Sequence, residues 1–160
     1  MLRKSIIVIL ILLILIFVNI NYAKDESIAN SYEKNMYYGY LIIPSIDINL
    51  GFYDYDNPLN NVDLNIELID TKIDNTYLLA GHSGIGKNAF FNNLKDIQIN
   101  DDVYLEIAGI INHYKVINIK KEIKDGSISI NRLQDQIILT TCDQIIKGYQ
   151  LIVEGTLVFD

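Results

Sequence analysis

The stretch Ile137-Ile138-Leu139-Thr140-Thr141-Cys142-Asp143 is apolar and β-branched at its start and turns polar at its end. A run of that composition with a polar exit reads as a β-strand. It also carries the chain's single cysteine. One cysteine excludes an intrachain disulfide and a cysteine-rich zinc site. A free cysteine is most often a small hydrophobe that finishes a buried strand. Cys142, however, falls where the strand turns polar rather than in its middle. Strand ends held by a rigid scaffold are common homes for catalytic groups.

Further runs of the same kind lie on both sides. Tyr40 to Ile43 is apolar and is interrupted by Pro44, and Ile46, Ile48 and Leu50 then alternate with Asp47 and Asn49. That is the period of a half-buried strand. Thr76 to Ala80 is apolar and ends at Gly81. Val103 to Ile107 and Asn112 to Ile119 read as strands, the second with loose alternation, and Gln150 to Phe159 closes the chain. Asp125-Gly126 and Lys147-Gly148 mark turns. Helical segments are few. Asn88 to Leu94 spaces Phe90, Phe91 and Leu94 for one helix, with Asn88 as N-cap. Asn57 to Asn61 and Leu64 to Ile69 have room for short helical turns. About six to eight short strands with about two helices predict a mainly β domain, a closed barrel with antiparallel or mixed pairing. The domain is expected over residues 39–160.

The chain has 160 residues, with 13 basic and 20 acidic ones and a formal net charge of −7. That balance speaks against a nucleic-acid partner, which needs basic patches to neutralise phosphates. There are two histidines, His82 and His113. Any active site is drawn from a small inventory.

Arg3 and Lys4 precede an uncharged run from Ser5 to Tyr22, whose apolar centre is Ile6 to Val18. A cleaved signal peptide has an apolar stretch of roughly 7–15 residues and a small-residue cleavage site, whereas a membrane span needs about 20 apolar residues. Asn19-Ile20-Asn21-Tyr22-Ala23 lacks an Ala-x-Ala pattern. The favoured reading is an uncleaved signal anchor, a transmembrane helix over residues 1–23, followed by a juxtamembrane stalk over 24–38. Arg3 and Lys4 stay in the cytoplasm by the positive-inside bias. The expected location is therefore the cell membrane, single-pass, with the domain extracellular. Setting Arg3 and Lys4 aside leaves 11 basic residues against all 20 acidic ones outside, a balance of −9, and a single arginine, Arg132. Structural cysteines outside the membrane usually pair. A lone one is either incidental and buried or kept for reactivity.

A second motif is Leu79-Ala80-Gly81-His82-Ser83-Gly84-Ile85-Gly86-Lys87-Asn88. Gly81 to Lys87 fits the phosphate-binding spacing Gly-x4-Gly-Lys, but Asn88 stands where a magnesium-binding Ser or Thr belongs. The segment is also expected outside the cell, away from ATP. His82 reads either as a histidine in a glycine-rich turn or as a strand-end imidazole facing a cleft. His113, inside a strand, reads as structural or surface.

The pair of motifs, a strand ending in Ala80-Gly81-His82 and a later one ending in Leu139-Thr140-Thr141-Cys142, resembles the sortase family of Gram-positive cysteine transpeptidases. Gly39 to Ile46 resembles the opening strands of sortases, Asn88 to Leu94 the helix after the histidine, and Leu151 to Leu157 the last strand. The resemblance runs in order over about residues 39–159. It implies a sortase-like barrel whose enzyme cleaves a C-terminal sorting signal such as Leu-Pro-x-Thr-Gly, holds the acyl group as a thioester and passes it to an amine. The implied partners are surface proteins bearing sorting signals, and an amine acceptor of peptidoglycan or of a pilin. Cys142 is the implied nucleophile, and His82 the group that protonates the leaving amine. Thr141 and Gln150 are the implied substrate-binding residues.

One departure stands out. The family carries an arginine on the last strand, and Gln150 occupies that place. Glutamine donates two hydrogen bonds without charge, and charge-assisted bonds are roughly twice as strong. Arg132, ten residues before Cys142, is the expected replacement, reaching the cleft from the preceding loop. Ile138 stands where the family usually has Thr. Some sortases bind calcium through clustered acids, here Asp54, Asp56, Glu67, Asp101 and Asp102, but no metal or cofactor is assigned. Two other readings stay open: a degenerate module that binds sorting signals without turnover, and a cysteine hydrolase with water as acceptor.

Overall fold

The structure is a computed structural model that describes Ile16, residues 36–130 and residues 135–159. The expected anchor and stalk, apart from Ile16 and residues 36–38, lie outside the described residues, and so does Arg132. Among the described residues no helix is long and apolar enough to cross a membrane. The chain divides into two units, Met1–Met36 and Tyr37–Asp160, and the second carries the sheet.

Eight strands form that sheet: β1 Gly39–Ile43, β2 Ile48–Phe52, β3 Glu67–Ile69, β4 Thr76–Ala80, β5 Asp102–Ile107, β6 Ile110–Ile123, β7 Gln136–Cys142 and β8 Tyr149–Leu157. Their order is β2-β1-β5-β6-β8-β7-β4-β3. Every neighbouring pair is antiparallel except β4 and β7, which run parallel. An isolated bridge between Phe52 and Ile66 links the outer strands, so the sheet curls into a nearly closed barrel. The mixed, mainly β barrel expected from the sequence is therefore present.

Period-2 alternation builds the core. Leu41, Ile43, Ile48, Phe52, Val103, Leu105, Tyr114 and Val116 turn inward. β7 is buried along nearly its whole length, because both of its faces are covered. Ile137 and Leu139 join the barrel core, whereas Ile138 packs with Leu78 and Ile152 in a second cluster on the opposite face. Ile128 and Ile130, from the connection between β6 and β7, roof that second cluster. Leu139→Ala would cost about 2–5 kcal/mol, the usual range for a buried Leu.

Two local features differ from the sequence reading. Asn88 to Leu94 is not a capped α-helix. It is a series of turns leading into a 3-10 helix over Asn92–Asp96. The Asn88 amide donates to the backbone oxygen of Asp63 at 2.6 Å instead of capping. Leu64 to Ile69 is not helical either. Its second half is β3, because β4 needs an antiparallel partner on its free edge and Leu68 buries its side chain there. A further 3-10 turn, Pro44–Ile46, connects β1 to β2.

Candidate active site

The parallel pair β4 and β7 ends both of its strands at one place. β4 delivers Gly81 and His82 just past Ala80, and β7 delivers Thr141 and Cys142. Three hydrogen bonds tie the two ends. Gly81 N–H donates to Thr140 O at 3.1 Å, the Thr141 hydroxyl donates to Gly81 O at 2.7 Å, and the Ser83 hydroxyl donates to Cys142 O at 2.6 Å. The residues on either side of His82 are thus fixed to Thr140, Thr141 and Cys142 at the end of β7. Gly81 is required by packing: a Cβ there would lie 2.8 Å from the Phe91 ring.

His82, Thr141, Cys142 and Gln150 line one cavity of about 260 Å³. A second depression, of about 600 Å³, opens on the other side of Cys142 and is bordered by Ser83, Asn92 and Asp143. The cysteine is partly buried. His82 Nε2 lies 2.9 Å from Asp63 Oδ1. Because the Asn88 amide also holds the Asp63 backbone, the loop carrying Asp63 is pinned to the loop carrying His82. A carboxylate on one ring nitrogen fixes the orientation of the imidazole and the tautomer it presents.

Thr141 and Gln150 are both buried and both already engaged. The Thr141 hydroxyl is used on Gly81, and Gln150 Nε2 donates to Ser127 O at 2.8 Å, which ties β8 to the segment after β6. Gln150 stands directly across from Cys142 in the β7–β8 ladder. The structure gathers four of the five residues expected from the sequence into one cavity, and the fifth, Arg132, lies outside the described residues.

Asp143, next after the cysteine, shapes the β7–β8 turn. Its carboxylate accepts from the backbone of Ile145 and Ile146 and pairs with Lys121 at 2.6 Å. The Lys121 ammonium, aided by those backbone donors, holds the Asp143 carboxyl down at about 2.

Two polar contacts were not legible in the sequence. One is Asp63. The other is Lys124, whose ammonium donates to Cys142 Sγ at 3.1 Å. Strand register explains Lys124. Glu122 pairs with Gln150, and Gln150 pairs with Cys142, so these three side chains share a face across three strands. Lys124, two residues beyond Glu122, continues that face, and its N–H donates to Gly148 O at 2.8 Å. The signal that finds it is the spacing from Glu122, once the register of β6 on β8 is known.

The Gly81 to Lys87 segment has no phosphate-binding architecture. Turns and then a 3-10 helix follow it, so no α-helix N-terminus faces the loop.

A family model described as Sortase, Sortase domain, matches residues 41–158. Among solved structures, a lid mutant of sortase A from Corynebacterium diphtheriae superposes with a TM-score of 0.66 at 22% identity, covering 78% of this chain and 72% of that one. The complex of Streptococcus agalactiae sortase C1 with MTSET gives 0.65 at 22% identity, covering 78% and 70%. Sortase C-1 from Actinomyces oris gives 0.65 at 21%, covering 76% and 74%. No curated protein matches the chain in sequence.

Proposed function

The chain belongs to the sortase family, and from that premise we propose that it is a membrane-anchored cysteine transpeptidase with Cys142 as nucleophile. The observation that carries this reading is the meeting of His82 and Cys142, 60 residues apart, on one cavity at the ends of a parallel strand pair. The anchor is residues 1–23, with the domain outside the cell.

The substrate is the C-terminal sorting signal of a surface protein, of the Leu-Pro-x-Thr-Gly kind, lying in the cavity against Thr141 and Gln150. Cys142 Sγ attacks the carbonyl carbon of the scissile peptide bond as a thiolate. The C–N bond breaks as His82 gives its proton to the leaving nitrogen, and a thioester remains. An amine of peptidoglycan or a pilin then attacks the same carbon and loses a proton to His82. The C–S bond breaks and returns the thiolate. Two substrates must reach one carbon in turn, and the two depressions that share Cys142 suit that requirement. Arg132, which precedes β7 in the sequence, would steady the carbonyl oxygen. An Arg132→Ala variant with undiminished transfer would remove it from the mechanism.

The test is to incubate the full-length chain with a sorting-signal peptide, with and without triglycine. Transpeptidation gives an amide product and faster peptide cleavage when triglycine is present. Cleavage with no amide product would make the chain a hydrolase. The binding-module reading draws on Gln150, whose amide is turned to Ser127 and carries no charge. Bound peptide, with neither cleavage nor selective labelling of Cys142 by a thiol reagent, would support it.

A further inference from the structure

We propose that Lys124 is the cationic partner of the Cys142 sulfur, a positioning and charge-stabilising residue that works where Gln150 leaves the last strand without a cation. The inference rests on the reading of Cys142 as nucleophile.

Three lysines end β6 or follow it, and their partners differ. Lys120 lies between two carboxylates, Glu122 at 3.0 Å and Glu154 at 2.8 Å. Lys121 pairs with Asp143 at 2.6 Å. Lys124 has no carboxylate within salt-bridge distance among the described residues, and its ammonium meets Cys142 Sγ at 3.1 Å. Its charge is therefore not neutralised by a neighbour before it reaches the sulfur. A cation at that distance favours thiolate over thiol, and the thiolate is the attacking species.

The placement is built into the backbone. The bond from Lys124 N–H to Gly148 O holds the residue beside the start of β8, and the Asp125-Gly126 turn follows at once, with Gly126 at φ +89°. Gln150 Nε2 on Ser127 O ties down the other side of that turn. The lysine side chain thus leaves a fixed point on the face that carries Cys142. The other titratable groups around the sulfur are His82 and Glu67 in the cavity and Lys95, Asp96, Lys121 and Asp143 on the opposite side. Glu67 accepts from Val62 N–H, and Asp143 and Lys121 offset each other.

Alkylation of Cys142 by iodoacetamide in the full-length chain, followed against pH, tests the pairing. Lys124→Gln is expected to slow alkylation at neutral pH by about three- to tenfold, the modest end of what an opposite charge within hydrogen-bond reach does at an exposed site. Its rate is expected to rise at higher pH than in the wild type. Lys124→Arg should restore most of the loss, which a purely steric role would not produce. In acyl transfer, Lys124→Gln should lower kcat with little change in KM for the peptide. A Lys124→Gln profile that overlays the wild type overturns the proposal, whether or not the wild type transfers acyl groups. A profile displaced by Arg132→Ala and unmoved by Lys124→Gln also overturns it. A displaced Lys124→Gln profile in a wild type that makes no amide product supports the pairing and removes the transpeptidase reading instead.

Discussion

The chain has two histidines, each hydrogen-bonded to an aspartate, and they stand in different kinds of neighbourhood. His113 Nε2 lies 2.6 Å from Asp102 Oδ1, and His82 Nε2 lies 2.9 Å from Asp63 Oδ1. Exposure does not separate them, since their side chains are 32% and 41% accessible. Surroundings do. His113 sits within the antiparallel β5–β6 hairpin, directly across from Tyr104, and stacks on its ring at 4.8 Å. Lys115 also pairs with Asp102, at 2.6 Å, so that carboxylate is shared between an imidazole and an ammonium across the ladder. His82 stands past the end of a strand, over a cavity that holds a thiol and an ammonium. A histidine–carboxylate pair is thus a common structural device. What makes His82 a candidate catalyst is the end of a parallel strand pair, where two chain segments distant in sequence deliver side chains to one cleft.

The largest effect expected on that contrast is from Cys142→Ala, which should abolish amide formation from a sorting-signal peptide and triglycine while leaving the melting temperature near that of the wild type. Next, His82→Ala should lower transfer by about 10²–10⁴-fold, the usual worth of a positioned acid–base group. His113→Ala should leave transfer within about twofold, the normal tolerance of a residue outside the reacting groups. Equal losses in the two variants would erase the distinction. A smaller effect is expected from Asp63→Asn, about three- to tenfold in kcat with little change in KM for the peptide, because Asp63 orients the imidazole without touching substrate. Asp102→Asn should leave kcat where it is.

The smallest effect concerns stability in acid. Lys121 holds the Asp143 carboxyl at about 2, below its unfolded value of about 3.9. The folded state therefore binds fewer protons through that window, and the stabilisation is complete above about pH 4 and lost as pH falls toward 2. Asp143→Asn should melt below the wild type at neutral pH and converge with it as pH falls toward 2. Thermal melts between pH 2 and pH 5 read this directly, and parallel curves would mean that the Lys121 pair contributes nothing to the β7–β8 turn.

Much of this contrast was legible in the chain. β4 has the bounds expected from its apolar run, and β7 differs from the expected strand by one residue at each end. Cys142 and His82 were visible because each closes an apolar run at a polar exit. Long-range pairing hid the rest. β6 was expected to stop at Ile119, yet it continues to Ile123. A register shift between Val116 and Asn118 inserts one extra residue, and that is why the alternation there reads as loose. Beyond the shift, Glu122 and Lys124 turn to the face of Cys142, which no local pattern announces. Asp63 was hidden for a similar reason. Its loop is held by Asn88 and by His82 itself, contacts 25 and 19 residues away in sequence. Asn88 suggested a helix cap by its position, and its side chain serves the site loop instead.

The central claim is that Cys142 carries the acyl group between donor and amine. Intact-mass spectrometry of the full-length chain, quenched during turnover of a sorting-signal peptide, tests it most directly. The expected result is an acyl adduct on Cys142 that disappears when triglycine is added, as the amide product appears in matching amount. An amide product formed by Cys142→Ala, or peptide turnover in the wild type with no adduct on Cys142, would contradict it.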